Sequence, residues 1–135
     1  MSIYKKNNTD LEMYCGDSGK LKINKIPTDK NYHVHLEVLR AKDGEIVLQK
    51  KAESEFQDSV IFEITPEDSD KFTVEDINTP ETYYWSVKLC DPENNTEDTV
   101  IPKTTVDQKT GTAIFAKPYK LIVRYKLVEG CENVK

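Results

Sequence analysis

In the stretch His33 to Arg40, Val34, Leu36 and Val38 alternate with His33, His35 and Glu37. Successive side chains of a strand point to opposite faces, so a repeat of two marks a half-buried β-strand and does not suit a helix. The repeat returns in Thr82 to Cys90, where Tyr83, Trp85, Val87 and Leu89 share a face. It is also present at Leu11/Met13/Cys15, Leu21/Ile23, Val60/Phe62/Ile64 and Leu121/Val123/Tyr125/Leu127. Turn signals separate these runs: Gly16-Asp17-Ser18-Gly19, Asp43-Gly44, the polar loop at Ser54 to Ser59, and Asp91-Pro92-Glu93-Asn94-Asn95. Asp-Gly is a hairpin signal because its glycine accepts a positive φ. Thr65-Pro66-Glu67-Asp68 has the order of a helix start, with Thr as N-cap, Pro at the first helical position and acids in the first turn. The pattern predicts an all-β, mostly antiparallel sandwich of about 7–9 strands, with one short helical turn near 66–72. The predicted core is Leu21, Ile23, Val34, Leu36, Val38, Phe62, Trp85, Val87, Leu89, Val123 and Tyr125.

A chain of 135 residues suits one core. The expected organisation is a flexible or docking arm at 1–9, a single sandwich at 10–130 and a tail at 131–135. The formal net charge of −5 argues against a nucleic-acid or anionic-membrane surface, which needs clustered Lys and Arg. No apolar run is long enough to span a bilayer, and Met1 to Asp10 lacks the apolar core of a secretory signal. The three cysteines, Cys15, Cys90 and Cys131, match no zinc spacing. Their odd number and the missing signal fit reduced thiols, with Cys15 and Cys131 as the conceivable pair if the first and last strands are neighbours.

No constellation in the sequence assembles a catalytic site. His33 and His35 place two imidazoles on one side of a strand, with Glu37 on the same side, but a metal needs further ligands and there is no third histidine. Such a pair on an outer face is ordinarily solvated. The acidic runs at 67–70, 75–76 and 91–98 lack calcium-loop spacing. Ser18 lies in a tight turn without the flanking pattern of a nucleophile elbow. No phosphate-binding glycine loop is present. The chain is therefore expected to be no enzyme and to hold no cofactor or metal.

One ordered set of features is more specific. A strand leads into Gly16-Asp17-Ser18, an Asp-Gly hairpin follows between Val34 and Leu48, and a strand ends in Thr65-Pro66-Glu67-Asp68-Ser69. Then come Tyr83-Tyr84-Trp85-Ser86-Val87-Lys88-Leu89, an acidic turn and Thr99-Val100-Ile101. This order, over roughly residues 10–102, resembles the immunoglobulin-like modules of phage tail and baseplate proteins. In particular it resembles the N-terminal domain of upper baseplate proteins from phages of Gram-positive hosts. Pro80-Glu81-Thr82 stands where that family usually has a glycine, and residues 103–128 read as an extended hairpin. The resemblance implies an immunoglobulin-like sandwich without catalytic residues, a structural part of a virion assembled in the host cytoplasm. Its partners would be other virion proteins or copies of itself, in a homo-oligomer or a larger assembly, with no nucleic acid or membrane bound. Ile3 and Tyr4 in the arm, with Tyr119 and Ile122 in the last hairpin, are the expected interface. The alternative is a carbohydrate- or cell-surface-binding adhesin domain, with Tyr84 as its outward-facing aromatic.

Overall fold

The computed structural model describes residues 3–5, 9–102, 105–106, 109–111, 113–114 and 117–125. The first strands are β1 (Ile3–Lys5), β2 (Leu11–Tyr14), β3 (Gly19–Ile23), β4 (His33–Arg40), β5 (Ile46–Glu53) and β6 (Val60–Ile64). A single helical turn, α1 (Pro66–Ser69), follows. Then come β7 (Glu81–Asp91), β8 (Thr96–Ile101), β9 (Thr105–Val106), β10 (Ala113–Ile114) and β11 (Tyr119–Arg124). The fold is an all-β sandwich. The eight longer strands match the expected number, and β1, β9 and β10 are additions of three residues or fewer.

The large sheet runs β1-β2-β11-β7-β4-β5, with β8 also paired to β7. β7 is its spine. Along one side it pairs with β4 from Tyr83 to Cys90. Along the other it pairs with β11 from Glu81 to Trp85 and with β8 from Val87 to Asp91. A smaller sheet, β3-β6, supplies the second layer. β9 and β10 form a separate two-stranded ribbon.

The core follows the alternation. Ile23, Val34, Leu36, Val38, Phe62, Trp85, Val87, Leu89 and Val123 are buried, and Leu21 is partly buried against them. Tyr125 is a correction to the expected core. The paired strand stops at Arg124, whose carbonyl accepts from the Cys15 N–H at 2.9 Å, so the next side chain projects past the sheet rim and is 39% exposed. Met13, Ile26, Phe72 and Tyr83 are buried in the same core, as are Ile3, Leu11, Leu48, Val60, Ile64 and Leu121. The Phe72 and Tyr83 rings meet at 5.3 Å, and the Tyr83 hydroxyl donates to the Thr73 carbonyl at 2.7 Å.

Two placements are not fixed by the alternation. β11 lies inside the sheet, antiparallel to β7 and parallel to β2 from Leu121↔Leu11 to Arg124↔Tyr14. A period of two reads alike in an edge strand and an interior one, so the pattern does not fix this placement. The arm is also partly structured: β1 pairs with β2, and Ile3 is buried. Gly19 makes room for it, since a Cβ there would lie 2.6 Å from Ile3 Cγ1.

α1 forms where the sequence places it. Thr65 Oγ1 accepts from the Asp68 N–H at 3.1 Å, and Asp68 Oδ2 accepts from the Thr65 N–H at 3.0 Å. This reciprocal cap contributes about 1 kcal/mol. Lys50 Nζ lies 2.6 Å from Asp68 Oδ2 and so ties α1 to edge strand β5. Burial pushes the Asp68 carboxyl up, but its bonds with Lys50 and Thr65 outweigh this and hold it below the usual carboxylate range.

The loops gather at the two ends of β7, which at about 3.3 Å per residue lie roughly 33 Å apart. At the Asp91 end are 24–32, 54–59 and 91–95. At the Glu81 end are the Gly16 turn, the Gly44 turn, α1 and the segment 70–80.

Candidate docking site

The outer face of the large sheet carries the two histidines. His33 lies between Glu53 on β5 and Cys90 on β7, and His35 lies between Lys51 and Lys88. His33 Nε2 is 3.4 Å from Glu53 Oε1. Burial, with the charges of Lys51, His33 and Lys88, holds the His35 imidazole below its ordinary pKa against the opposing pull of Glu97. Burial and the Glu97 carboxylate push the Cys90 thiol up, away from the nucleophilic thiolate. Among the described residues no three His, Cys, Asp or Glu side chains come together as a metal site. On this face His33, His35 and Cys90 are half-buried among the exposed side chains of Lys51, Glu53, Lys88 and Glu97.

The Asp91 end has a different character. Glu55 and Phe56 are consecutive non-glycine residues with φ of 51° and 62°. A side chain in this left-handed region costs roughly 1–2 kcal/mol, and persists only where the surroundings over-determine it. The bracing is visible. Ser54 is buried, and its Oγ accepts from the Tyr32 N–H at 2.8 Å. The Ser54 N–H donates to the Tyr32 carbonyl at 2.8 Å, and the Gln57 N–H donates back to the Ser54 carbonyl at 2.9 Å. Asn31 Oδ1 accepts from the Glu55 N–H at 2.8 Å, while Asn31 Nδ2 donates to Glu53 Oε1 at 3.0 Å. The Ile26 N–H fixes the far side of the loop through the Asp58 carbonyl at 2.9 Å. The result is a rigid turn that holds the Phe56 ring 59% exposed.

At the Glu81 end there is a cleft of about 110 Å³ lined by Tyr14, Ile77, Asn78, Pro80, Arg124 and Tyr125. Asp76 shapes its wall. Asp76 Oδ1 accepts from the Asn78 N–H at 2.8 Å, and Oδ2 accepts from the Thr79 hydroxyl at 3.2 Å. This turn presents Ile77, which is 60% exposed. Arg124 closes the base of the cleft and donates through Nε to Glu12 Oε1. A more polar cavity of about 330 Å³ lies between β5 and α1, around Gln49, Lys50, Asp68 and Lys71. Its Lys50 and Asp68 are already paired with each other.

The residues expected at an interface are scattered. Ile3 is in the core, and Tyr119 is partly buried with its ring 5.6 Å from that of Trp85. Ile122 lies on the outer face of β11, opposite Thr82 and Glu12, and the Tyr4 side chain falls outside the described residues. Cys131 and the tail at 131–135 fall outside them as well. Sequence reasoning missed Phe56 and the cleft. The signal for Phe56 was a lone aromatic in a polar loop, at Ser54 to Ser59, belonging to no alternating run. No protein-family model, curated protein or solved structure matches this chain.

Proposed function

We propose that this chain is a non-catalytic structural module that works by docking onto other proteins. On the order of turns and strands described above, it is an immunoglobulin-like component of a phage virion, of the tail or baseplate type. The observation that carries the docking reading is the Phe56 turn. Chain strain and a set of hydrogen bonds from Asn31, Tyr32 and Ser54 are committed to keeping one large apolar ring in water, where it loses the burial that aromatics otherwise favour. Exposed aromatic anchors of this kind dominate binding energy at protein interfaces. The adhesin alternative needs a row of exposed aromatics. Tyr84 is only half exposed on the outer face, between Leu39 and Lys120, which favours protein docking over sugar stacking.

Density-gradient-purified particles of the phage encoding the chain, probed by mass spectrometry, test the virion reading. The chain is expected among the particle proteins in a fixed ratio to the other tail components. Recovery only in the soluble fraction, with complete particles formed without it, would sink that reading.

A further inference from the structure

Two open edges of the large sheet carry opposite charge. Among the described residues β5 pairs with β4 alone and β8 with β7 alone, so each offers a row of unpaired backbone N–H and C=O groups. On β5, Lys51 is exposed and in no ion pair among the described residues, whereas Lys50 beside it is already held by Asp68 at 2.6 Å. On β8, Glu97 and Asp98 are both exposed. Asp98 is in no ion pair among the described residues, and Glu97 has Lys88 at 3.9 Å and accepts from the Cys90 thiol at 3.7 Å. We infer that copies of this chain join edge to edge, β5 of one pairing antiparallel with β8 of the next, so that the large sheet continues from copy to copy. The inference rests on the docking reading and names a second copy of this chain as the partner.

Direction and face both allow this pairing. β4 is antiparallel to β5 and to β7, and β7 is antiparallel to β8, so β5 and β8 run antiparallel within one molecule. A second copy in the same orientation therefore presents its β8 antiparallel to β5, with both outer faces on one side. Gln49 and Lys51 on β5 and Glu97 and Thr99 on β8 belong to the outer face, while Lys50, Ala52, Thr96 and Asp98 belong to the inner one. Setting Lys51 opposite Glu97 brings Gln49 opposite Thr99, Lys50 opposite Asp98 and Ala52 opposite Thr96, each pair on a single face. Asp98 then comes beside Lys71, which is exposed and borders the same cavity as Lys50. A slip of one residue turns the partners to opposite faces. A slip of two sets Glu53 or Gln49 against Glu97. There is also room for a strand: that cavity, of about 330 Å³, is bordered by five consecutive β5 residues, Ile46 to Lys50. Charges on edge strands ordinarily keep sheets apart. Here they do so between like edges: two β8 edges bring acids together, and two β5 edges centred on Lys50 or Lys51 bring lysines together. The charges favour β5 against β8, and the same residues disfavour the wrong pairings.

The joined surfaces differ, so the contact does not close on two copies but continues into a ring or an open stack. The test is sedimentation velocity of the full chain across a concentration series, with circular dichroism to check that each variant is folded. The wild type is expected to grow past a dimer. Lys51→Glu and Glu97→Lys each turn an opposite-charge pair into a like-charge one, and each alone is expected to associate ~10-fold more weakly. Combined in one chain, or mixed as two single variants, they restore opposite charges across the contact, and association is expected to return. A wild type that stays monomeric or stops at a dimer overturns the inference. So does a single variant that associates like the wild type, or a double variant or mixture that stays as weak as the single variants. The virion reading fails separately: a monomeric chain found in purified particles removes the edge contact alone, and a self-associating chain absent from particles removes the virion role alone.

Discussion

The two ends of the sandwich turn the chain by different means. At the Glu81 end, the left-handed positions of the tight turns belong to glycines, Gly16 at φ 85° and Gly44 at φ 75°. At the Asp91 end they belong to Lys25, Glu55, Phe56 and Asn95, at φ between 51° and 62°. Glycine reaches that region without a steric penalty, so such a turn is set by local sequence. Glu55 and Phe56 reach it only because Ser54, Asn31 and Tyr32 hold them there. One end is cheap to form and the other is held against its own preference. The difference shows where the fold spends stability on the display of a side chain.

That contrast can be broken from either side. Phe72→Ala should have the largest effect. It removes a fully buried ring from its contact with Tyr83 at the Glu81 end, and a loss of about 3–5 kcal/mol is expected in urea unfolding. Ser54→Ala strips the side-chain acceptor from the part-buried Tyr32 N–H and should cost about 1 kcal/mol. Faster hydrogen exchange confined to the Asp91 end would show that the brace, and not the core, has been loosened. Glycine substitutions should then act with opposite signs at the two ends. Gly44→Ala leaves φ at 75° with no steric contact for the new Cβ, so it should lose about 1 kcal/mol through the backbone alone. Glu55→Gly relieves a left-handed side chain and should gain roughly 0.5 kcal/mol after the added entropy of the unfolded chain. Equal signs for the pair would show that Glu55 is not strained.

The smallest effect is titration. His35, near the Asp91 end, has its pKa lowered by folding, so the unfolded chain takes up its proton first. The stability this group supports is full above the unfolded value of about 6.5 and is lost as pH falls through that value toward the folded one. His35→Gln should flatten that part of the stability profile measured between about pH 7 and 5. An unchanged slope would assign the proton uptake elsewhere.

The parts of the molecule legible in its sequence were those governed by near neighbours. The alternation at Val34/Leu36/Val38 and at Trp85/Val87/Leu89 names a buried face, because strand geometry leaves no other reading. The Thr65 cap is likewise complete within four residues. What was not legible depends on distant partners. Nothing local places β11 between β7 and a parallel β2, nor shows that Ile3 will lie over Gly19. Tyr125 follows its strand's alternation and still leaves the core, because the sheet ends one residue earlier. The candidate site was the least legible part. The left-handed conformation of Phe56 is imposed by hydrogen bonds from residues more than twenty positions away, and the cleft draws on three separate segments.

The divided pairing of β7 also governs how the molecule bears mechanical load. Its hydrogen bonds run across the strand direction, so a pull applied between the two ends of the sandwich loads the β4–β7 ladder in shear, many bonds sharing the force together. A pull across the sheet peels strands one bond at a time. β8 grips only the later half of β7 and β11 only the earlier half, so either can detach while β4 still bridges the break. The domain is built to be stiff lengthwise and weak sideways.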